Sequence, residues 1–398
     1  MSVVFPRAER LIAMQPSSTM AATQAAARLR AAGHDVIDLG AGEPDFTTPA
    51  NIRDAAKRAL DSGKTKYTPA SGTAELKKAV LNYIERETST RFEPSQIIIS
   101  AGGKQTLFNA ITTLINPGDE VIIPTPYWVT FPEIVTFCGG TSVYIDTEDN
   151  GFQLTAEMVK NAITPRTRLI IVNSPSNPSG RIIETDEFRK IAELVAERGL
   201  WMISDECYYQ FTYPPHNPFS AASLPAELRE RVLVSGSFSK TYAMTGWRIG
   251  YALANKDWVT DMATVQSHST SNPTTFAQWG AIEAAEGDQS SIAEMMAEYQ
   301  KRRDWLVPAL NELQGVSCRM PEGAFYAFPS IKGVLEQSSL KADSEFTDLL
   351  LNEAYVVMTP GSAFGAPGYV RISYANSLEN IQRAVDRVRQ VIEKITAR

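Results

Sequence analysis

The chain has 398 residues, 43% hydrophobic and 21% charged, with 24 glycines and 23 prolines: a well-packed globular composition, long enough for one large and one smaller domain. A net charge of −7 argues against nucleic acid or an anionic membrane as partner. No apolar core of leader length follows Met1–Glu9 and no apolar run approaches the ~20 residues of a membrane span, so a cytoplasmic protein is expected.

The first helical pattern covers Met20–Ala32 and is stopped by Gly33, after which Val36–Leu39 reads as a strand. Helices are expected from about Pro49 to Leu60 and from about Thr73 to Glu87. From residue 95 the pattern becomes short apolar strands alternating with helices. The strands are 96–100, 120–123, 168–172, 200–204 and 231–234; the helices are 104–115, 130–138 and 185–198. Strands apolar on every residue are buried on both faces, which makes this region α/β with a mostly parallel sheet. A long helical stretch, about Ser291–Leu313, leads to a second α+β unit built from 324–329, 345–353, 369–373 and 378–396. The N-terminal ~45 residues contain too few strands for a core of their own and are expected to pack with that unit. The expected division is 1–48 with 295–398 as the small domain, carrying an N-terminal arm, and 49–294 as the large one.

The densest chemistry lies in Ser235–Gly250, Ser-Gly-Ser-Phe-Ser-Lys-Thr-Tyr-Ala-Met-Thr-Gly-Trp-Arg-Ile-Gly. Lys240 stands among the hydroxyls of Ser237, Ser239 and Thr241, with Arg248 eight positions on. A lysine that traps a carbonyl needs a desolvated pocket, and a guanidinium fork among hydroxyls suits a phosphate. Lysine plus phosphate pocket points to pyridoxal phosphate. The ends of the neighbouring strands strengthen the case. Asn173–Gly180, with Asn177, follows one strand; Asp205-Glu-Cys-Tyr208 follows the next; the lysine turn follows the third. Ligands of α/β sheets bind beyond the carboxyl ends of the strands. Ser100-Ala-Gly-Gly-Lys104 adds a glycine turn at a helix start, where free N–H groups favour a phosphate. Taken singly, Asp205 would be a helix cap and Lys240 a surface charge; their joint order is specific. Three distant cysteines (Cys138, Cys207, Cys318) and three scattered histidines (His34, His216, His268) indicate neither a disulfide framework nor a metal site.

These motifs resemble fold-type-I pyridoxal-phosphate enzymes, specifically class I aminotransferases of the bacterial aspartate aminotransferase type. Matching segments are Gly42–Phe46, Lys64–Gly72, Gly102–Gln105, Pro126–Trp128, Asn173–Gly180, Asp205–Tyr208, Ser237–Gly250 and Arg371–Tyr374. The resemblance implies a large domain with a mostly parallel seven-stranded sheet plus a smaller α+β domain. It makes Lys240 the Schiff-base lysine and proton-moving base, and Asp205 the partner of the pyridine nitrogen, which strengthens the ring as an electron sink. Tyr208 and Asn177 would hold the cofactor's phenolic oxygen, Trp128 would stack on the ring, and Gly103, Lys104, Ser237, Ser239 and Arg248 would hold the phosphate. Tyr67 would come from the other subunit of a homodimer with shared active sites. Arg371 would grip the substrate α-carboxylate, with Gly42 closing over it and Trp128 and Asn177 beside it. Lys104 stands where the wider family has a small hydroxyl residue, and in the bacterial subgroup such a lysine is thought to reach a distal carboxylate.

The implied reaction is L-aspartate plus 2-oxoglutarate to oxaloacetate plus L-glutamate, by a ping-pong mechanism on amino acid and 2-oxo acid substrates. Prephenate or aromatic amino acid transamination is the alternative. Some prephenate enzymes use a lysine near the N-terminus, where this chain has Gln15. C–S lyase chemistry would use the same lysine, aspartate and arginine, and is told apart by release of ammonia and pyruvate. A transcription regulator with a related domain would need a basic extension that residues 1–20 do not provide.

Overall fold

The structure, a computed structural model, describes residues 5–15 and 18–397. Its centre is a seven-stranded sheet: β1 (Ile97–Ser100), β2 (Glu120–Thr125), β3 (Thr141–Asp146), β4 (Thr167–Asn173), β5 (Trp201–Asp205), β6 (Val232–Ser237) and β7 (Gly250–Leu253). The spatial order is β1-β7-β6-β5-β4-β2-β3. β7 runs antiparallel to both of its neighbours, and the remaining pairings are parallel.

The apolar runs follow from the two-residue period of a strand. Ile97 and Ile99, Ile170 and Val172, Met202, Val232 and Val234 enter one core, while Ile98, Leu169, Ile171, Ile203 and Leu233 enter another on the opposite face. Helices 185–197 and 74–88 cover the first face, through residues such as Ile191 and Leu76. Helices 103–114 and 256–269 cover the second, through Leu107 and Met262. A residue of either parity is therefore buried, which explains why these strands lack polar alternation.

The helices anticipated from sequence appear within a few residues as Ser18–Ala31, Ala50–Asp61, Ala74–Thr88, Gly103–Leu114, Thr130–Phe137, Thr185–Glu197 and Ser290–Asn311. Two strands of the sheet differ from the sequence reading. β3 is an edge strand with only Ile145 buried, so its exposed polar residues hide it from an apolar-run criterion. β7 is four residues long and opens on a glycine. Helices Lys256–Ser269 and Thr275–Glu286 were also not read from the periodicity.

A third core gathers Leu306, Leu310, Phe325, Ile372, Ile381, Val385 and Val388 from the C-terminal part of the chain, together with Ile37 and Leu39. Its backbone frame is a three-stranded antiparallel sheet in which Val370–Ser373 lies between Thr359–Pro360 and Tyr326–Ala327. Ile37–Asp38 pairs in parallel with Val356–Val357. The short helix Glu9–Ala13 instead lies on helix 130–137 of the central sheet region, where the Gln15 N–H donates to Glu133 Oε2 at 2.9 Å.

Gly250 shows how tightly the site end of the sheet is built. It pairs with Ser100 on one side and Ser237 on the other. A Cβ there would lie 2.5 Å from Gly103 N and 2.6 Å from Gly102 C, both backbone atoms that cannot swing aside. Gly250→Ala is expected to cost about 1–3 kcal/mol by forcing the start of helix 103–114 off the sheet. Urea unfolding measures this, and an unchanged midpoint would contradict the packing described.

Candidate active site

Three adjacent parallel strands end side by side. Asn173 at the end of β4 is opposite Asp205 at the end of β5, and Asp205 is opposite Ser235 of β6, two residues before the strand ends at Ser237. Beyond these ends lies a cavity of ≈ 260 Å³ lined by Gly42, Gly103, Lys104, Trp128, Asn177, Asp205, Tyr208, Ser237, Ser239, Lys240, Arg248 and Arg371 among others. Every site residue expected from sequence is thus brought together except Tyr67. Its side chain is 91% exposed and lies outside the cavity, so within one chain it takes no part in the site.

Lys240 is carried by the short helix Phe238–Thr241, whose N-cap is Ser237; the Ser237 hydroxyl accepts the Ser239 N–H at 3.1 Å. Ser237 and Ser239 are both buried. Burial lowers the Lys240 pKa, and the Arg371 and Arg248 charges push the same way, against the opposing influence of Cys207 and Glu43. The ammonium donates to the carbonyl of Gly42.

Asp205 caps no helix. Its Oδ1 accepts the N–H of Cys207, two residues on, at 3.2 Å, forming a turn. The carboxyl is 6% exposed, and burial raises its pKa to about 7, against the Cys207 N–H and the Lys240 charge, which both lower it. Its neighbour Glu206 is also pushed to about 7 by burial, yet points to the other side of the strand. There it accepts from Ser204 and from the Ala221 N–H.

Helix Gly103–Leu114 begins at Gly102 with no side-chain cap, which leaves its first N–H groups open to a ligand. Gly102 has φ +86, and a Cβ on it would lie 2.6 Å from Arg248 Nη2. Only glycine meets both the left-handed backbone and the guanidinium's approach. Arg248 is anchored by Nη1 donating to Thr245 O at 2.8 Å. Lys104 extends the other way, with Nζ 4.9 Å from the Trp128 ring centroid. Desolvation in the cleft and the Arg248 charge lower its pKa, though solvent around the partly exposed side chain screens the effect.

Arg371 is no surface arginine. It is 2% exposed, donating from Nη1 to Asn177 Oδ1 at 3.0 Å and from Nη2 to Gly40 O at 2.7 Å. Its Nε is buried without a partner, which leaves donor capacity for a carboxylate. The sequence reading missed Tyr326, whose hydroxyl lies 2.7 Å from that of Tyr208. It also missed the lining residues Leu107, Asn173, Cys207 and Thr245. Burial pushes the Cys207 thiol up to about 12, which disfavours its thiolate form.

The lining contains four cationic side chains (Lys104, Lys240, Arg248, Arg371) and one buried carboxyl, Asp205. Such a set suits a ligand with several negative charges and a single N–H⁺. Pyridoxal phosphate beside an amino acid meets that description: the open helix start and Arg248 take a phosphate, Asp205 a ring nitrogen, Arg371 a carboxylate. No group of His, Cys, Asp and Glu that could hold a metal occurs among the described residues.

The family profile described as Aminotransferase class I and II matches residues 34–388. The aspartate aminotransferase of Bacillus subtilis is 44% identical over 97% of this chain and 99% of its own length. The aspartate/prephenate aminotransferase of Cereibacter sphaeroides is 44% identical over 96% of this chain and 97% of its own. The crystal structure of the aspartate aminotransferase from Rhizobium meliloti superposes with a TM-score of 0.94 at 41% identity, covering 98% of this chain and all of that one.

The raised Asp205 carboxyl gives a test in the cofactor-free protein. A group that binds its proton more tightly folded than unfolded loses stabilisation as pH rises from its unfolded to its folded pKa. Moving Asp205 from 3.8 to about 7 costs roughly 4 kcal/mol once the group is charged. Asp205→Asn should therefore gain stability relative to the parent between pH 4 and 8, by up to a few kcal/mol in urea melts. A difference that does not change with pH would show that Asp205 is not desolvated.

Proposed function

The chain belongs to the class I and II aminotransferase family, and from that premise we propose that the cavity at the ends of β4, β5 and β6 is the site of transamination between L-aspartate and 2-oxoglutarate. The chain is an enzyme of the aspartate transaminase type and uses pyridoxal 5′-phosphate. When bound, the cofactor supplies a carbonyl that carries the amino group between substrates and a ring that accepts electrons from the substrate Cα.

The protein's own groups take the remaining tasks. Lys240 Nζ, its charge disfavoured by burial, would hold the cofactor covalently and would serve as the base for the substrate Cα proton. Asp205 would hold the proton of the ring nitrogen, which would offset the cost of its own buried charge. Ser237, Ser239, Arg248 and the N–H groups of Gly103 and Lys104 hold the phosphate. Trp128 would cover the ring, and Tyr208 and Asn177 would hold the ring oxygen. Arg371 takes the α-carboxylate in a two-point grip, with Gly42 beside it.

The single observation that carries the reading is Arg371, buried with an unpartnered Nε in the same cavity as Lys240. A second cation, Lys104, stands across that cavity and suits a distal carboxylate, which favours dicarboxylic substrates. Prephenate is the second reading, favoured by the name of the Cereibacter sphaeroides relative; Gln15, rather than a lysine, lies near the N-terminus of this chain.

The proposal extends to the assembly. Residues 49–294 form a large domain and residues 1–48 with 295–398 a small one whose N-terminal arm reaches onto the large domain through helix Glu9–Ala13; the two are joined at the cavity, so that substrate bound by Arg371 and Lys240 draws them together. The exposed Tyr67 is supplied to the phosphate of a second copy, making a homodimer with shared sites. No helix among the described residues is long and apolar enough to cross a membrane; a cytoplasmic location is proposed.

Half-reactions test the assignment. The pyridoxal form is mixed with aspartate, glutamate or alanine and the cofactor absorbance followed. Arg371→Ala should slow all three donors about ten- to hundredfold, the cost of a charge-assisted contact. Lys104→Ala should slow aspartate and glutamate by a similar factor and leave alanine nearly untouched. Equal loss on all donors with Lys104→Ala would remove the dicarboxylate reading, and no reaction of the parent with aspartate would remove the function itself.

A further inference from the structure

Tyr326 lies on the two-residue strand beside Val370–Ser373, directly across from Ser373. Its side chain is fully buried at the cavity wall, and its hydroxyl lies 2.7 Å from that of Tyr208. The two rings meet edge to face at 79°. The Arg371 guanidinium sits 4.6 Å from the Tyr326 ring centroid, and a Cβ on Gly42 would lie 3.1 Å from the Tyr326 hydroxyl. Tyr326 thus touches Tyr208, Arg371 and the Gly42 turn at once.

Two hydroxyls at 2.7 Å share one hydrogen, and the question is whose. The cation over its ring makes Tyr326 the more acidic partner. Both phenols are raised by burial and both are drawn back by the Arg371 charge, which weighs more on Tyr326 because the guanidinium lies over that ring, 4.6 Å from its centroid. The better acid donates. With Tyr326 O–H as the donor to Tyr208 Oη, the Tyr208 hydrogen is left free to turn into the cavity. A hydroxyl that already accepts a hydrogen bond is also the stronger donor.

We propose that Tyr326 is a positioning residue that orients and strengthens Tyr208 as a hydrogen-bond donor to the cofactor, and so helps set the pH at which the Lys240–cofactor linkage loses its proton. This rests on Tyr208 facing the cofactor's ring oxygen, as proposed above. A donor to that oxygen stabilises its negative charge and weakens its hold on the linkage proton, so a stronger Tyr208 bond lowers the midpoint. The dependence arrives from the strand beside Arg371, which ties the carboxylate-gripping sheet to the linkage without contact between Tyr326 and substrate.

The test is a spectrophotometric pH titration of the substrate-free holoenzyme, following the absorbance change on deprotonation of the linkage. It is run on the parent, Tyr208→Phe, Tyr326→Phe and the double variant. Tyr208→Phe should raise the midpoint by about 1–2 pH units, the worth of a hydrogen bond to a charged group. Tyr326→Phe should raise it by a smaller step, about 0.2–0.6 units, the share attributable to cooperativity. In the Tyr208→Phe background, Tyr326→Phe should add nothing. If Tyr208→Phe shifts the midpoint and Tyr326→Phe does not, the inference is overturned while the role of Tyr208 stands. An equal Tyr326→Phe shift in both backgrounds also overturns it, because Tyr326 would then act without Tyr208. No shift with Tyr208→Phe would overturn the placement of Tyr208 itself.

Discussion

An ammonium taken out of water beside two guanidiniums is poorly tolerated, and Lys240 is held in that position. The carbonyl of Gly42 accepts from it, Glu43 and Asp205 lend distant negative charge, and Arg248 and Arg371 oppose it. Such surroundings favour the neutral amine, the form that attacks a carbonyl. Most of the architecture around the site maintains this one arrangement. β6 delivers the lysine on a one-turn helix, β5 brings Asp205 alongside, and Gly250 lets the start of helix 103–114 settle against the sheet.

The site is also where the separate cores of the chain are stitched together. Arg371, from the C-terminal sheet, bonds Asn177 beyond β4 and the carbonyl of Gly40. Arg302, on the long helix, bonds Asp45 at 2.8 Å and the carbonyl of Tyr374. These contacts place the turn 40–45 between the sheet that carries the lysine and the sheet that carries Arg371. A ligand spanning Lys240 and Arg371 therefore acts on the turn from both sides, the arrangement expected of an enzyme that closes on its substrate.

Much of this was legible in the sequence because burial on both faces leaves strands with no polar alternation, and a sheet so marked announces where its ends lie. Asn177, Asp205, Tyr208 and Lys240 could be placed on one edge before any coordinates. β3 escaped because an exposed edge strand needs no apolar run, and β7 because four residues beginning with a glycine carry too little pattern. Tyr326 escaped for the opposite reason: within Gly-Ala-Phe-Tyr-Ala-Phe it reads as core, and only three-dimensional structure brings its hydroxyl to Tyr208. Tyr67 belongs to a matching segment, yet within its own chain it is 91% exposed and lies outside the cavity.

The central claim is that Lys240, among the lysines of the chain, is the amine that binds the cofactor covalently. Borohydride reduction of the native holoenzyme, followed by peptide mapping, tests it most directly. The account predicts pyridoxyl label on Lys240 alone, and Lys240→Ala that retains cofactor without covalent label or sustained transamination. Label on Lys104 or any other lysine, or undiminished turnover by Lys240→Ala, would contradict it.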